Sequence, residues 1–204
     1  ERVEGQPVKA IPGKLLYRGY DVVDLVEGMR SENRHFGFEE TVYLLLSGKL
    51  PTPDEYEIFC ELIKDNMPLP QKIKMNILDL EGQNIMNILA RCILEMYTYD
   101  DDPDNISREN LIRQSVELIS RVPAMIAYAY NIYRHSIQGR ALHIRHPKKD
   151  LSIAENFLYM LKGRFTELEA RVLDLSLLLH AEHGGGNNST FTVRVTSSSE
   201  TDTY

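Results

Sequence analysis

Apolar residues recur at three- and four-residue intervals through most of this chain, and clean two-residue alternation is nearly absent. Behind Asp21, a capable N-cap, Val22, Val23, Leu25, Val26 and Met29 fall on one helical face. A second helix is expected over 38–47, with Gly48 as its stop signal. Thr52-Pro53-Asp54-Glu55 is a compact start signal: the threonine caps, proline takes the first helical position, and Glu55 reaches back to the cap. Ser152 with Glu155, and Thr166 with Glu169, repeat that spacing. Between them the pattern predicts helices over 83–99, 107–120 and 123–135, with the acidic stretch 100–104 as a solvated loop. The segment 167–179 is apolar on most sides and is expected to be a deeply buried central helix. Before Asp21, Pro7, Pro12 and Gly13 punctuate an extended opening in which Leu15, Leu16 and Tyr17 suit a short strand. The fold class expected is all-α, with at most one small N-terminal strand pair: an extended segment 1–20, then a helical domain 21–204.

Composition narrows the function. The chain has 204 residues, of which 43% are hydrophobic and 26% charged, enough apolar material for a sizeable core. A net charge of −7 argues against a general nucleic-acid binder, which needs a basic surface. Cys60 and Cys92 both lie in helical stretches, so a disulfide framework is not expected and a reducing compartment is. No apolar run approaches the ~20 residues that span a bilayer, and residues 1–9 lack a signal-peptide layout. A cytoplasmic protein without a membrane role is expected.

One constellation suggests chemistry: His180-Ala181-Glu182-His183-Gly184-Gly185-Gly186-Asn187-Asn188-Ser189-Thr190. An apolar helix ends in two histidines, three glycines let the backbone turn, and Asn187, Asn188 and Ser189 are all good caps for a following helix. Free amides and the positive dipole end of that helix suit a carboxylate. An imidazole and a carboxamide beside them suit a small keto-dicarboxylate, giving donors to carboxylate and carbonyl oxygens. The plain alternative is that the histidines simply meet exposed carbonyls at a helix end. A zinc-hydrolase site fits poorly, because His-x-Glu-His is one residue shorter than the known spacings. A phosphate loop fits poorly too, since the glycines follow a helix and no Lys-Ser/Thr comes after them.

The same stretch resembles the citrate synthase signature His-x-Asp/Glu-His-(x)-Asn-x-Ser/Thr. Four more stretches match that family in order and spacing. They are Gly13 through Tyr20, Phe38 through Thr52, Val122-Pro123-Ala124 with Ala127-Tyr128, and Leu151 through Leu158. The resemblance covers nearly the whole chain and implies an N-terminal part of the family's large domain, of bacterial type. Citrate synthases condense acetyl-CoA with oxaloacetate, using an aspartate base and two histidines and no metal or other cofactor. By resemblance His183 binds oxaloacetate, Asn187 lies beside it, Ser189 is a nearby hydroxyl, and His180 helps shape the site. The family's Gly-Pro-x-His-Gly segment, its second catalytic histidine and its catalytic aspartate have no counterpart here, and the smaller domain is likewise expected to be absent. The fragment is therefore expected to be inactive.

Some departures bear on these expectations. Many relatives have His-Pro-Met-Asp where this chain reads Gln83-Asn84-Ile85-Met86-Asn87, near a subunit contact. Gly184 stands where the family usually has an acidic residue. After Asn188, the run Thr190, Phe191, Thr192, Val193, Val195, Thr196 has strand propensity, whereas the resemblance implies a helix. The resemblance also implies a homodimer through helices at 83–99, 107–120, 167–180 and about 189–201. The apolar stripe Ile85, Ile88, Leu89, Cys92, Ile93, Met96 is in keeping with this, the alternative being intramolecular core. 2-Methylcitrate synthase, which uses propionyl-CoA, and a non-catalytic dimerising helical module are the other readings.

Overall fold

The computed structural model describes residues 10, 12–31, 36–80, 82–182, 184 and 186–204. Its first element is a minimal hairpin, β1 (Leu16–Tyr17) against β2 (Tyr20–Asp21), antiparallel, with Tyr17 opposite Tyr20. The two linking residues, Arg18 and Gly19, have φ of 51° and 95°, the left-handed pair that a tight hairpin turn requires. Arginine tolerates this because its side chain is tied down: Nε and Nη2 both donate to the Leu45 carbonyl, at 3.0 and 2.7 Å. Asp21 then caps α1 (Val22–Ser31), its Oδ1 accepting from the Val23 amide at 2.9 Å.

Local signals account for most of the helix boundaries. α2 (Phe38–Ser47) stops at Gly48, whose φ of 87° lets its amide close on the Leu44 carbonyl at 2.8 Å. Full capping boxes start α3 (Pro53–Asn66), α7 (Ile153–Lys162) and α8 (Glu167–His180) at Thr52, Ser152 and Thr166. The Asn84 side chain caps α5 (Ile85–Met96), which runs into a 3₁₀ turn at Tyr97–Tyr99. α9 (Asn188–Ser197) is a helix despite its β-branched residues. The fold is all-α, with that hairpin as its sheet among the described residues.

Four sequence expectations change. A short helix that the pattern did not predict, α4 (Gln71–Asp79), buries Ile73 and Ile77 completely. The helices expected over 107–120 and 123–135 are one 29-residue helix, α6 (Arg108–Ser136), running straight through Pro123. The proline removes the amide that the Ile119 carbonyl would accept, but Ala124, Met125, Ala127 and Tyr128, directly beyond it, are all at most 1% exposed, and their burial holds the helix together. α6 is thus the central helix, packed by α3, α4, α5 and α7, and α8 is not. α8 buries one stripe, Ala170, Asp174 and Leu178, and leaves Leu168 70% and Val172 56% exposed. The acidic stretch is not simply solvated either. The Asp100 side chain is 1% exposed and accepts from Tyr204 Oη (2.6 Å), Arg113 (2.6 Å) and Gln114 (3.0 Å), tying the segment after α9 to the start of α6.

The stripe on α5 is intramolecular core. Ile88, Cys92 and Met96 are buried, and Ile85, Leu89 and Ile93 pack against the same cluster as Ile73, Ile77 and Tyr128. The large apolar residues that α5 leaves open are Met86 and Leu94.

Candidate functional site

The turn from α8 to α9 is held from beneath by Tyr17. Its side chain is fully buried, and its hydroxyl donates to the carbonyls of Leu178, at 2.8 Å, and Glu182, at 3.3 Å. The Leu178 carbonyl also accepts from the Ala181 amide at 3.2 Å, so Tyr17 adds a second donor there and ties the end of α8 to the N-terminal hairpin. Upstream, Asp174 anchors the same helix. It is 1% exposed and accepts from the amides of Gly37 (2.8 Å) and Phe38 (3.3 Å) at the start of α2. Gly37 has no side chain to cap α2 and no room for one: a Cβ there would lie 1.7 Å from Met29 Sδ. Asp174 supplies that cap from another helix.

Beyond Glu182 the chain turns through Gly184, with φ of 80°, whose amide donates to the Glu182 carboxylate. Thr190 Oγ1 donates to the Gly184 carbonyl at 3.3 Å, closing the turn onto α9. Asn187 is the N-cap: its Oδ1 accepts from the Thr190 amide at 2.9 Å and from Ser189 Oγ at 2.6 Å. Asn187 and Ser189, both singled out from sequence, are therefore one hydrogen-bonded unit. His180 is exposed at the last position of α8, and its Nδ1 lies 2.7 Å from the Ser176 carbonyl on its own helix. His183 lies outside the described residues. The structure joins Asn187 to Ser189 and turns His180 back onto α8.

Sequence reasoning missed the supports, Tyr17 and Asp174. Asp174 did leave a signal. It sits at four-residue spacing between Ala170 and Leu178, a carboxylate on the buried stripe of a helix. Burial pushes its carboxyl up to about 7 against the pull of the Gly37 and Phe38 amides, with Glu39 and Glu155 adding repulsion. Tyr17 left less: it falls in a short extended segment whose partner is 161 residues away.

A buried hairpin tyrosine, a helical layer around one long helix, and an asparagine-capped helix entered from a glycine turn belong to an all-α fold that resembles citrate synthase structures. The family model described as "Citrate synthase, C-terminal domain" matches residues 3–204, and the chain belongs to the citrate synthase family. It is 32% identical over 200 residues to the citrate synthase of Corynebacterium glutamicum, covering 94% of this chain and 43% of the relative. It is also 32% identical to the 2-methylcitrate synthase of Shewanella oneidensis, over 93% of this chain and 47% of that protein. The crystal structure of citrate synthase from Pyrobaculum aerophilum superposes with a TM-score of 0.80 at 30% identity, over 93% of this chain and 46% of that one. The chain spans a little under half the length of these relatives.

Proposed function

We propose that this chain contributes to an enzyme that condenses acetyl-CoA with oxaloacetate, and that the α8–α9 turn forms part of its oxaloacetate site. The observation that carries the reading is the Asn187–Ser189 cap on α9. It sets the amides and positive dipole end of a helix just after the end of α8, whose last residue is His180. The Asn187 oxygen holds the cap, and the resemblance to citrate synthases supports placing the same residue beside the substrate. His183 would donate to the substrate, Ser189 would hold Asn187, and His180 would shape the pocket wall. No cofactor enters this scheme; acetyl-CoA is a substrate. The whole enzyme, assayed for thiol release, should lose at least about tenfold in kcat/KM on Asn187→Ala, since a charge-assisted contact is worth about 1.5–3 kcal/mol. Unchanged kinetics would remove Asn187 from the site.

Residues 1–204 contain no Gly-Pro-x-His-Gly segment, and by themselves they should release no CoA from acetyl-CoA with oxaloacetate above a protein-free control. A propionyl-CoA enzyme is the second reading, favoured by the equal identity to a citrate and a 2-methylcitrate synthase. Comparing kcat/KM for the two acyl-CoAs decides between them.

The same reading includes a homodimer through α5, the first half of α6, α8 and α9. Its support has moved from the α5 stripe to the open faces of α8 and α9, where Leu168, Val172, Phe191, Val193 and Val195 are each more than half exposed. Beside them a hollow of about 830 Å³ is lined by Leu94, Ile106, Leu111, Val193 and Tyr204. An obligate interface buries on the order of 2,000 Å² or more and is rich in apolar area. Light scattering should give twice 23.5 kDa; the monomer mass across the micromolar range would refute the dimer. A dimer with an inactive whole protein would favour the non-catalytic module. Among the described residues no helix is long and apolar enough to cross a membrane, and a cytoplasmic location fits the two unpaired cysteines.

A further inference from the structure

The residues that precede and follow His183 in the chain are both tied down, and one tie comes from far away in the sequence. The Glu182 carbonyl accepts from Tyr17 Oη at 3.3 Å, and the Glu182 carboxylate accepts from the Gly184 amide. The Gly184 carbonyl in turn accepts from Thr190 Oγ1 at 3.3 Å. The last two contacts lie within the turn, spanning two and six residues. Tyr17 reaches the turn across 165 residues, so it alone of these donors refers the turn to the rest of the fold.

A closed frame sets the position of that hydroxyl. The Tyr17 ring is fully buried in one cluster with Val22, Met29, Leu44 and Leu178. Arg18 donates twice to the Leu45 carbonyl, which ties the hairpin to α2. The start of α2 is held on α8 by Asp174. α8 is thus gripped at Asp174 and again at its end, and the two grips are joined through α2. Burial raises the Tyr17 phenol, so the hydroxyl keeps its proton and stays a donor. The Leu178 carbonyl already has the Ala181 amide, at 3.2 Å, and does not need Tyr17 to be satisfied. What the hydroxyl adds is a clasp, one donor shared between the last turn of α8 and the residue beyond its end. A side chain that contacts substrate has to be held within about 0.5 Å of its working position, and a displacement of about 1 Å can cost a hundredfold. We propose that Tyr17 is a positioning residue of the oxaloacetate site, acting through the Glu182 carbonyl on the placement of His183. This rests on the substrate reading given above. Fully buried, Tyr17 does not touch substrate, so its loss should loosen the binding of one substrate and leave the chemical step alone.

The test is a thiol-release assay of the whole enzyme in which oxaloacetate and acyl-CoA are varied separately. In Tyr17→Phe, KM for oxaloacetate should rise about threefold or more, the worth of one hydrogen bond, while kcat and KM for acyl-CoA stay within about twofold. Val22→Ala thins the same cluster but leaves the hydroxyl in place; it should lower Tm without moving KM for oxaloacetate. His183→Ala sets the scale, with a larger rise in the same KM. If His183→Ala raises it and Tyr17→Phe does not, the positioning role is overturned and the substrate reading stands. If neither raises it, the reading fails and the positioning role with it. Equal rises in Tyr17→Phe and Val22→Ala, or a Tyr17→Phe chain that has lost its folded circular-dichroism spectrum, would make Tyr17 a support of the fold alone and overturn the proposal.

Discussion

Two aspartates with buried carboxyl groups, Asp174 before the α8–α9 turn and Asp100 against the segment after α9, are held by opposite electrostatics. Asp100, which anchors the segment after α9, is met by a guanidinium, a phenol, a carboxamide and the Asp102 amide. Burial alone would raise its carboxyl, but those donors outweigh it and hold the group well below the usual carboxylate range. Asp174, on α8 before the turn, has two backbone amides and, among the described residues, no cation; the nearby charges of Glu39 and Glu155 share its sign. There burial wins, and the carboxyl rises to about 7. Burial alone therefore says little about a carboxylate's charge. What decides is the number of donors that meet it: Tyr204, the Asp102 amide, Gln114 and Arg113 at Asp100, against two backbone amides at Asp174. The two anchors should respond to pH with opposite signs.

Removing Asp100 should have the largest effect. Asp100→Ala strands Tyr204, Gln114 and Arg113, and breaking a buried ion pair costs about 3–5 kcal/mol. Arg113 keeps 40% of its side chain in solvent and part of its hydration, so a loss of about 2–3 kcal/mol is expected in urea unfolding at pH 7. A change below about 0.5 kcal/mol would mean that the network contributes no net stability. Because the folded pKa is depressed, the contribution is fully present above the unfolded value of about 3.9 and is lost as pH falls below it.

Asp174 should show the reverse. Its folded pKa lies above the unfolded value, so between about 4 and 7 the folded chain holds a proton that the unfolded chain releases. Stability attributable to this group therefore falls as pH rises through that window, by up to about 1.4 kcal/mol per unit where the difference is one full proton. Asp174→Asn removes the titration but leaves its carboxamide oxygen to accept from α2. Unfolding free energies from pH 5 to 8 should fall more steeply in the parent than in the variant. Parallel curves would mean that Asp174 is ionised throughout, and the contrast with Asp100 would collapse.

Where the sequence was legible, the interactions were local. The capping boxes at Thr52, Ser152 and Thr166 and the stop at Gly48 close within a few residues, and each appears where the pattern puts it. Pro123 shows a local rule overridden: the break it signals is outweighed by the buried run that follows it. α9 shows propensity overridden. Its threonines and valines favour a strand, yet the Asn187 cap starts a helix, as the resemblance to citrate synthases implied. Of the site, Asn187 and Ser189 were readable as cap chemistry. Tyr17 and Asp174 were not, because their partners lie 161 and 137 residues away and nothing along the chain marks the pairing.

Tyr17→Phe tests the support between the two anchors. It keeps the ring and deletes one hydroxyl, so the cost is that of hydrogen bonds to two helix-end carbonyls, about 1–2 kcal/mol. For a chain of this size that is a drop in Tm of about 2–8 °C. Proteolysis should also become faster at the 181–187 turn, since the loss falls on the end of α8. A lower Tm with unchanged turn cleavage would assign Tyr17 to the core alone.

The smallest effect on the isolated fold is expected on the open face. Val193 on α9 is 65% exposed, so Val193→Lys removes little buried area, and surface substitutions of this kind usually stay within about 0.5 kcal/mol. In the proposed dimer the same residue meets apolar surface, and a lysine buried there without a partner would cost several kcal/mol of association. The two readings of the open face are thus separated by one substitution. If α8 and α9 form the subunit contact, Val193→Lys leaves the unfolding free energy of the dilute monomer nearly unchanged but shifts the light-scattering mass from twice 23.5 kDa towards 23.5 kDa. If that face is simply solvent-exposed, neither quantity moves. A variant that stays dimeric would place the contact elsewhere, and would leave the anchored turn between Asp174 and Asp100 with its apolar side open to water.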